Sequence, residues 1–348
     1  MSLGAAVMVL GMFVGDAVEH LATFQFTQVQ RFDRSLVFVE PVGRDAVAEL
    51  RGLPGVQGVE PFRVVAATLR YGQSERRQEI MALEPGGSLF RILDMHGRMH
   101  QPRSDGLLLS RRLAELLGAT LGDAIEVDLL EGRRRTTQLV VAGLVDDMVG
   151  TSAWVPGEVL QHLLHEGPRF SGAFLAIDEA AATSIDGRLA DSPRVAGFVS
   201  RQRQLDTFRE TIAQTLLRMR TVNTLFAVVI ACGVVATTAR QSVIERSRDL
   251  ASLRVLGYTR REVAAVLIGE QAILTLAAVP LGLLLGLGFV HVTTWGYDTD
   301  LFRVPAIVHP RTYAVSAATV FLAALLTSGI VRRLLDRLDL VAVLKVRD

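Results

Sequence analysis

The side chains that could do chemistry in this 348-residue chain are sparse, and their spacing excludes more than it offers. Of 37 basic residues only Lys345 is a lysine, and Val346 follows it. A phosphate-binding loop, Gly-x-x-x-x-Gly-Lys-Ser/Thr, needs a lysine to reach the β- and γ-phosphates, so the chain carries none. His96 with His100, and His162 with His165, have the spacing at which a helix presents two metal ligands on one face. No third ligand stands at a fixed spacing and there is no His-Glu-x-x-His, so surface histidines are expected. A Gly-x-Ser-x-Gly elbow is also absent from the sequence. Asp146 and Asp147 close a strand-like run and are expected to cap a turn. Arg133, Arg134 and Arg135 follow Glu131-Gly132 at a hairpin-like tip, either solvated or set against lipid headgroups. The single cysteine, Cys232, excludes an intramolecular disulfide and a Cys-based zinc or iron–sulfur centre. A net charge of +1 provides no field to recruit nucleic acid. No catalytic residue, metal site or bound cofactor is expected.

The elements that carry these residues are set by hydropathy. Half of the residues are hydrophobic, 21% are charged and the mean hydropathy is +0.34. Soluble domains carry about a quarter charged residues, so part of this chain is expected in a bilayer. A hydrocarbon core about 30 Å thick needs roughly 20 apolar helical residues. Residues 221–239 and 312–331 are uncharged windows of that size, and 263–290 is a third, with Glu270 and Gln271 its strongly polar members. Residues 1–15 are apolar but short, and read as the outer part of a first span whose start is missing. The expectation is a bundle of four spans, the first incomplete.

Arginine bias orients the spans, because short cytoplasmic loops are rich in basic residues. The segment 240–262 holds Arg240, Arg246, Arg248, Arg254, Arg260 and Arg261, and the tail after 331 holds five further basic residues. The loop 291–311 holds only Arg303 and Arg311. The first two segments are therefore expected inside, and 291–311 outside. By alternation, a large extracytoplasmic domain is expected over 16–220. It reads as α/β, with strands at 35–40, 63–69, 124–129, 137–145 and 173–177 and helices at 44–53, 110–117 and 156–165. Ser110 is the expected N-cap and Gly118 the expected terminator of the helix between them. Leu205, Phe208, Ile212, Leu216 and Met219 form a helical stripe that runs without Pro or Gly into the next span. It reads as a helical stalk or as a surface helix packed on its own domain.

Inside the membrane, Glu270 lies about two turns, roughly 10 Å, into the third window. An intramembrane carboxylate is costly, and two readings stand: a partner for an arginine or another helix, or a side chain snorkelling to the cytoplasmic interface. Gly282, Gly286 and Gly288 make a Gly-x-x-x-Gly face suited to close helix packing. The segment Val243-Ile-Glu-Arg-Ser-Arg-Asp-Leu-Ala-Ser-Leu-Arg-Val-Leu-Gly257 places Val243, Leu250, Leu253 and Gly257 on one stripe, with charge around it. It reads as a helix docking into a partner's groove or as an orienting interfacial helix. Thr259 and Glu262 have the spacing of a capping box at the start of the next helix.

That segment, with Glu262 and Glu270, resembles the signature of FtsX-like (MacB/LolE-type) ABC transporter permeases. In that family a cytoplasmic helix of the form E-R-x-x-E-hydrophobic-A-x-L-R-x-L-G joins the second and third spans. Asp249 stands where the family usually has Glu. The stretches Leu53-Pro-Gly-Val-Gln-Gly-Val-Glu-Pro61, Gly106-Leu-Leu-Leu-Ser-Arg-Arg-Leu-Ala114 and Leu117-Gly-Ala-Thr-Leu-Gly-Asp123 resemble the MacB-type periplasmic core. The ending Leu338-Asp-Leu-Val-Ala-Val-Leu-Lys345 is similar to the C-terminal half of long permeases that carry two four-helix units.

The resemblance implies an α-helical membrane bundle joined to a large MacB-like α/β extracytoplasmic domain, in the bacterial inner (plasma) membrane. It implies a division into 1–15 (truncated first helix), 16–220 (outer domain with helical stalks) and 221–348 (three spans, a coupling helix at 240–258 and a tail). The residues it assigns to ATPase coupling are Glu245, Arg246, Arg248, Asp249, Leu250, Leu253, Arg254, Leu256 and Gly257. ATP is expected to be used by a separate cytoplasmic ABC ATPase, and a second permease unit, as homodimer or fused half, to complete the bundle. The implied function is ATP-driven export or extraction of a lipid, lipoprotein or other hydrophobic substrate. The alternative is a non-transporting mechanotransmitter that controls an extracytoplasmic partner such as a cell-wall hydrolase.

Overall fold

The computed structural model describes residues 2–132, 136–148, 150–245, 256, 258–296 and 306–337. They fall into two compact units, one of Met1–Val18, Ile212–Gly296 and Ala306–Asp348, the other of Glu19–Thr211 and Tyr297–Pro305.

The first unit is built of long helices, α7 (Arg260–Gly296) and α8 (Pro310–Arg337) with the greater parts of α1 (Ser2–Thr23) and α6 (Arg201–Glu245). Among the described residues, Ser2–Val29, Leu217–Val234 and Ala272–Gly296 are long and apolar enough to cross a membrane. α1 runs well past the expected end at residue 15 and continues as a π-helical turn, Phe24–Val29. Asp16, Glu19 and His20 end the apolar window but do not break a helix, so hydropathy understates its length. α6 likewise crosses the expected boundary at residue 240 without interruption and reaches Glu245. At 1.5 Å per residue it is about 68 Å long. Ala5 of α1, Val279 of α7 and Val320 of α8 share one apolar cluster, flanked by Leu283, Ala317 and Phe321.

The second unit follows a split β-α-β-β-α-β plan. Its parts are β1 (Arg34–Val42), α2 (Arg44–Arg51), β2 (Val56–Tyr71), β10 (Phe170–Ile177), α5 (Ala182–Asp191) and β11 (Val195–Ser200), in the antiparallel order β11-β1-β10-β2. Leu36, Val47, Leu50, Leu175, Ile185 and Leu189 fill the layer between this sheet and α2 with α5. Between β2 and β10 the chain inserts β3 (Ser74–Leu83), β4 (Ile92–Leu93), β5 (Met99–His100), β6 (Leu107–Ser110), α3 (Arg111–Leu117), β7 (Ala124–Leu129), β8 (Thr136–Val145), β9 (Ala153–Pro156) and α4 (Gly157–Leu164). β2 outgrows its partner β10 and pairs further along with β7. That pairing closes β2-β3-β9-β6-β8-β7 into a ring, so these strands have no free edge. Val65, Leu69, Ile80, Leu109, Leu113, Ile125 and Val127 form its core, together with Leu160 of α4.

Most expected elements of this unit appear within a few residues of their expected ends. The strands β3, β4, β5, β6, β9 and β11 and the helix α5 were not anticipated. Glu75, Arg76, Arg77 and Glu79 make β3 polar, because part of that strand faces solvent, and its pairing with β2 overrides the composition.

Candidate functional site

Of the expected coupling helix at 240–258, residues 240–245 form the end of α6, with Glu245 its last residue. Arg246, Arg248, Asp249, Leu250, Leu253, Arg254 and Gly257 lie outside the described residues, whereas Leu256 is described and 75% exposed. The start of α7 is built as a capping box. Glu262 accepts from the Thr259 N–H at 2.7 Å and its hydroxyl at 2.9 Å, and the Glu262 N–H donates to the Thr259 hydroxyl at 3.3 Å. The Thr259 N–H, then its hydroxyl, hold the Glu262 carboxyl below its ordinary range.

Glu270 is half-buried on α7, and the apolar window of that helix starts at Ala272, just beyond it. Gly282 and Gly286 face α1. A Cβ at Gly282 would lie 2.5 Å from the Ser2 carbonyl oxygen, and one at Gly286 would lie 2.8 Å from the Val9 Cβ. Any side chain there must push the helices apart, since real Cβ atoms do not sit that close. Gly288 meets nothing within 4 Å. Asp16 was not singled out from sequence, yet it joins two helices. Its carboxylate accepts from the His309 N–H at 3.0 Å and the Thr312 hydroxyl at 2.6 Å, which caps α8 from α1. Its place just past the apolar run gave no such signal, because the helix was expected to end at residue 15.

The histidine pairs do not form ligand sets. His96 sits in a turn and His100 in β5, so neither is on a helix; the spacing reading assumed a helix where a two-stranded ribbon forms. His162 Nδ1 lies 2.7 Å from the Glu158 carbonyl oxygen, and His165 follows α4 with φ 54°. Among the described residues no group of three metal-ligating side chains occurs. Asp146 pairs with Arg111 at 2.6 Å. Arg133, Arg134 and Arg135 lie outside the described residues. Of the stripe on α6, Leu205 is buried and Phe208 packs on Phe26 at 5.8 Å, while Met219 is exposed.

The second unit also contains an open groove, with about 70 Å³ of enclosed space, between the end of β3, the loop that follows it and β5. Its floor is Phe174, stacked with Phe32 at 4.7 Å and with Phe90 at 5.2 Å, and tilted against Phe62 at 4.5 Å. Beside it Arg63, 8% exposed, donates to Glu131 at 2.8 Å and to the Ser171 hydroxyl at 2.9 Å. Neither feature was legible locally, because the partners come from strands far apart in the chain.

Known proteins share this organisation. Residues 1–198 match the MacB-like periplasmic core domain, and residues 222–338 match the FtsX-like permease C-terminal region. An uncharacterized ABC transporter permease protein of Mycobacterium tuberculosis is 28% identical over 277 residues. That match takes in 72% of this chain and 30% of the relative, so the chain spans under a third of that protein. Among solved structures, the extracellular domain of the ABC-type transporter YknZ from Gram-positive bacteria is 16% identical with a TM-score of 0.33, covering 44% of this chain and 87% of that one. The periplasmic region of MacB from Actinobacillus actinomycetemcomitans is 13% identical with a TM-score of 0.35, covering 55% and 95%. With a MacB-like core over more than half its length and an FtsX-like region after it, the chain belongs to the FtsX-like, MacB-type family of ABC transporter permeases.

Proposed function

We propose that this chain is the membrane-spanning part of an ABC export or extraction system whose ATP is hydrolysed by a separate cytoplasmic ATPase. The observation that carries the reading is the succession in one chain of a MacB-like periplasmic core and an FtsX-like permease region, with no phosphate-binding lysine. In this reading four helices cross the inner membrane and the β-rich unit lies outside. A second permease unit completes the bundle, and the segment from Glu245 to Gly257 receives the ATPase's movement. α6 links the strand β11 to that segment without a break up to Glu245, so a displacement at one end need not be lost in a loop. The cargo is a lipid, lipoprotein or other apolar molecule. The apolar groove over Phe174 favours cargo handling over a purely mechanical role.

Leu253→Asp tests the coupling step. It places a charge in the middle of the apolar stripe, and an unpaired charge buried in a contact costs several kcal/mol, about a hundredfold or more in affinity. The expected result is normal membrane abundance with loss of ATPase co-purification and of stimulated ATP turnover. Full retention of both would overturn the coupling role and leave the segment an orienting anchor.

A further inference from the structure

We propose that the groove beside Glu84 binds a small organic cation with an apolar body. The walls supply the apolar half of that specificity. Leu83, Phe90, Ile92, Met99, Pro156 and Phe174 line it, so a ligand would lie along an open, apolar surface rather than inside an enclosed cavity. Phe174 is fixed from behind by Phe32 and Phe62, so the floor is formed before any ligand arrives.

Charge supplies the other half. The polar lining is Glu60, Glu84, His100 and Gln101, with no arginine, in a chain with 37 basic residues. The Glu60 carboxylate is committed to the loop. It accepts from the Ser88 N–H at 2.6 Å, the Ser88 hydroxyl at 3.1 Å and the Leu89 N–H at 2.8 Å. His100 directs Nε2 to Asp94, 3.4 Å away. Glu84 is different: it is half-buried and, among the described residues, makes no hydrogen bond or ion pair. Glu84 also borders a neighbouring cleft, with Gly157, Gln161, Arg63 and Arg169. Arg63 is already opposed by Glu131 at 2.8 Å and Glu166 at 3.8 Å, and Arg169 donates to the Pro41 carbonyl at 3.2 Å. A partly desolvated carboxylate without a partner is the group that a ligand ammonium or guanidinium would complete. The Phe90 ring adds an aromatic surface for the same cation. An anionic ligand would set a further negative charge beside two carboxylates.

A role for this site in selecting cargo rests on the export reading; binding itself does not, and is measured without the ATPase. Trp154 packs in one cluster with Ile92, Leu83 and Phe90, so it reports on the groove. In the full-length protein in lipid nanodiscs, Trp295→Phe leaves it the single tryptophan. The probes are 4-phenylbutylammonium, its neutral counterpart 4-phenylbutanol and the anion 4-phenylbutyrate. Saturable quenching or enhancement by the ammonium is expected, with the alcohol about fivefold weaker or more and the anion weaker still. Glu84→Gln should weaken the ammonium about fivefold while leaving the alcohol within about twofold. Met99→Arg, at an exposed rim position, should place a cation against Glu84 and block the ammonium. Equal affinity for ammonium and alcohol, an undiminished preference in Glu84→Gln, or no saturable binding by a protein with intact circular dichroism would each overturn the proposal.

Discussion

Asp94 is 1% exposed, yet it is surrounded by donors. It accepts from the His96 N–H and the Arg98 N–H at 2.9 Å each and from the Arg98 guanidinium at 2.6 Å, with His100 Nε2 at 3.4 Å. Burial alone would raise its pKa, but the Arg98 N–H and guanidinium, His100 and the His96 N–H outweigh it and hold the carboxyl well below the usual range. The pKa is depressed on folding, so the stability it confers is present above the unfolded value of about 4 and is lost as pH falls below it. Asp94→Asn should cost about 2–3 kcal/mol at pH 7, seen as a fall of roughly 4–12 °C in the thermal midpoint. The penalty should be the same at pH 5 and shrink below about pH 4. A penalty that stays constant as pH falls well below 4 would mean that Asp94 titrates at its ordinary value in the folded protein. Local rules sufficed where the partners are neighbours in the chain. Ser110 caps α3 through the Leu113 N–H at 3.2 Å and Gly118 ends it at φ 76°, both as the spacing predicted. Asp94 was hidden because its segment is polar enough to read as a solvated loop.

Among the elements, the apolar windows located long helices but not their ends. A window measures transfer to hydrocarbon, whereas a helix stops only where caps or breakers stop it, which is why α1 outruns residue 15. α8 shows the converse, a helix whose start depends on another. Pro310 suits the first turn because it needs no N–H there, and the acceptor for the orphan His309 N–H comes from Asp16 of α1. Asp16→Ala should therefore cost about 1–2 kcal/mol, the scale of a lost N-cap. The local readout is hydrogen exchange in the first turn of α8, expected to quicken in Asp16→Ala and to be largely restored in Asp16→Asn, which keeps an acceptor. Unchanged exchange in the alanine variant would mean that water replaces the carboxylate without loss. Strand β11 escaped for a related reason. Gly197 and Ser200 weaken its local propensity, and its ladder with β1 settles the matter from outside the segment.

For the molecule as a whole, the division into an apolar helical part and an α/β part was legible in composition, but the plan of the α/β part was not. The β-α-β-β-α-β frame is split by the insertion between β2 and β10, so no window of the sequence contains both halves. The side of the membrane on which this frame lies follows from a different physical argument, the bias of arginine toward cytoplasmic loops. Six arginines between residues 240 and 262, against two in 291–311, are the bias behind the proposed topology, in which that segment lies inside and the β-rich unit outside. Gln73 is exposed at the turn between β2 and β3, so a cysteine there is reachable without disturbing a core. In a Cys232→Ala background, Gln73→Cys should react with an impermeant maleimide in spheroplasts, where an outer membrane presents no barrier. Ser247→Cys should react only after the membrane is permeabilised. Removing Arg246, Arg248 and Arg254 together should weaken that asymmetry, because charge bias near the ends of the spans sets the orientation. Labelling of Ser247→Cys in sealed spheroplasts, with Gln73→Cys protected, would reverse the orientation and put the coupling segment out of an ATPase's reach.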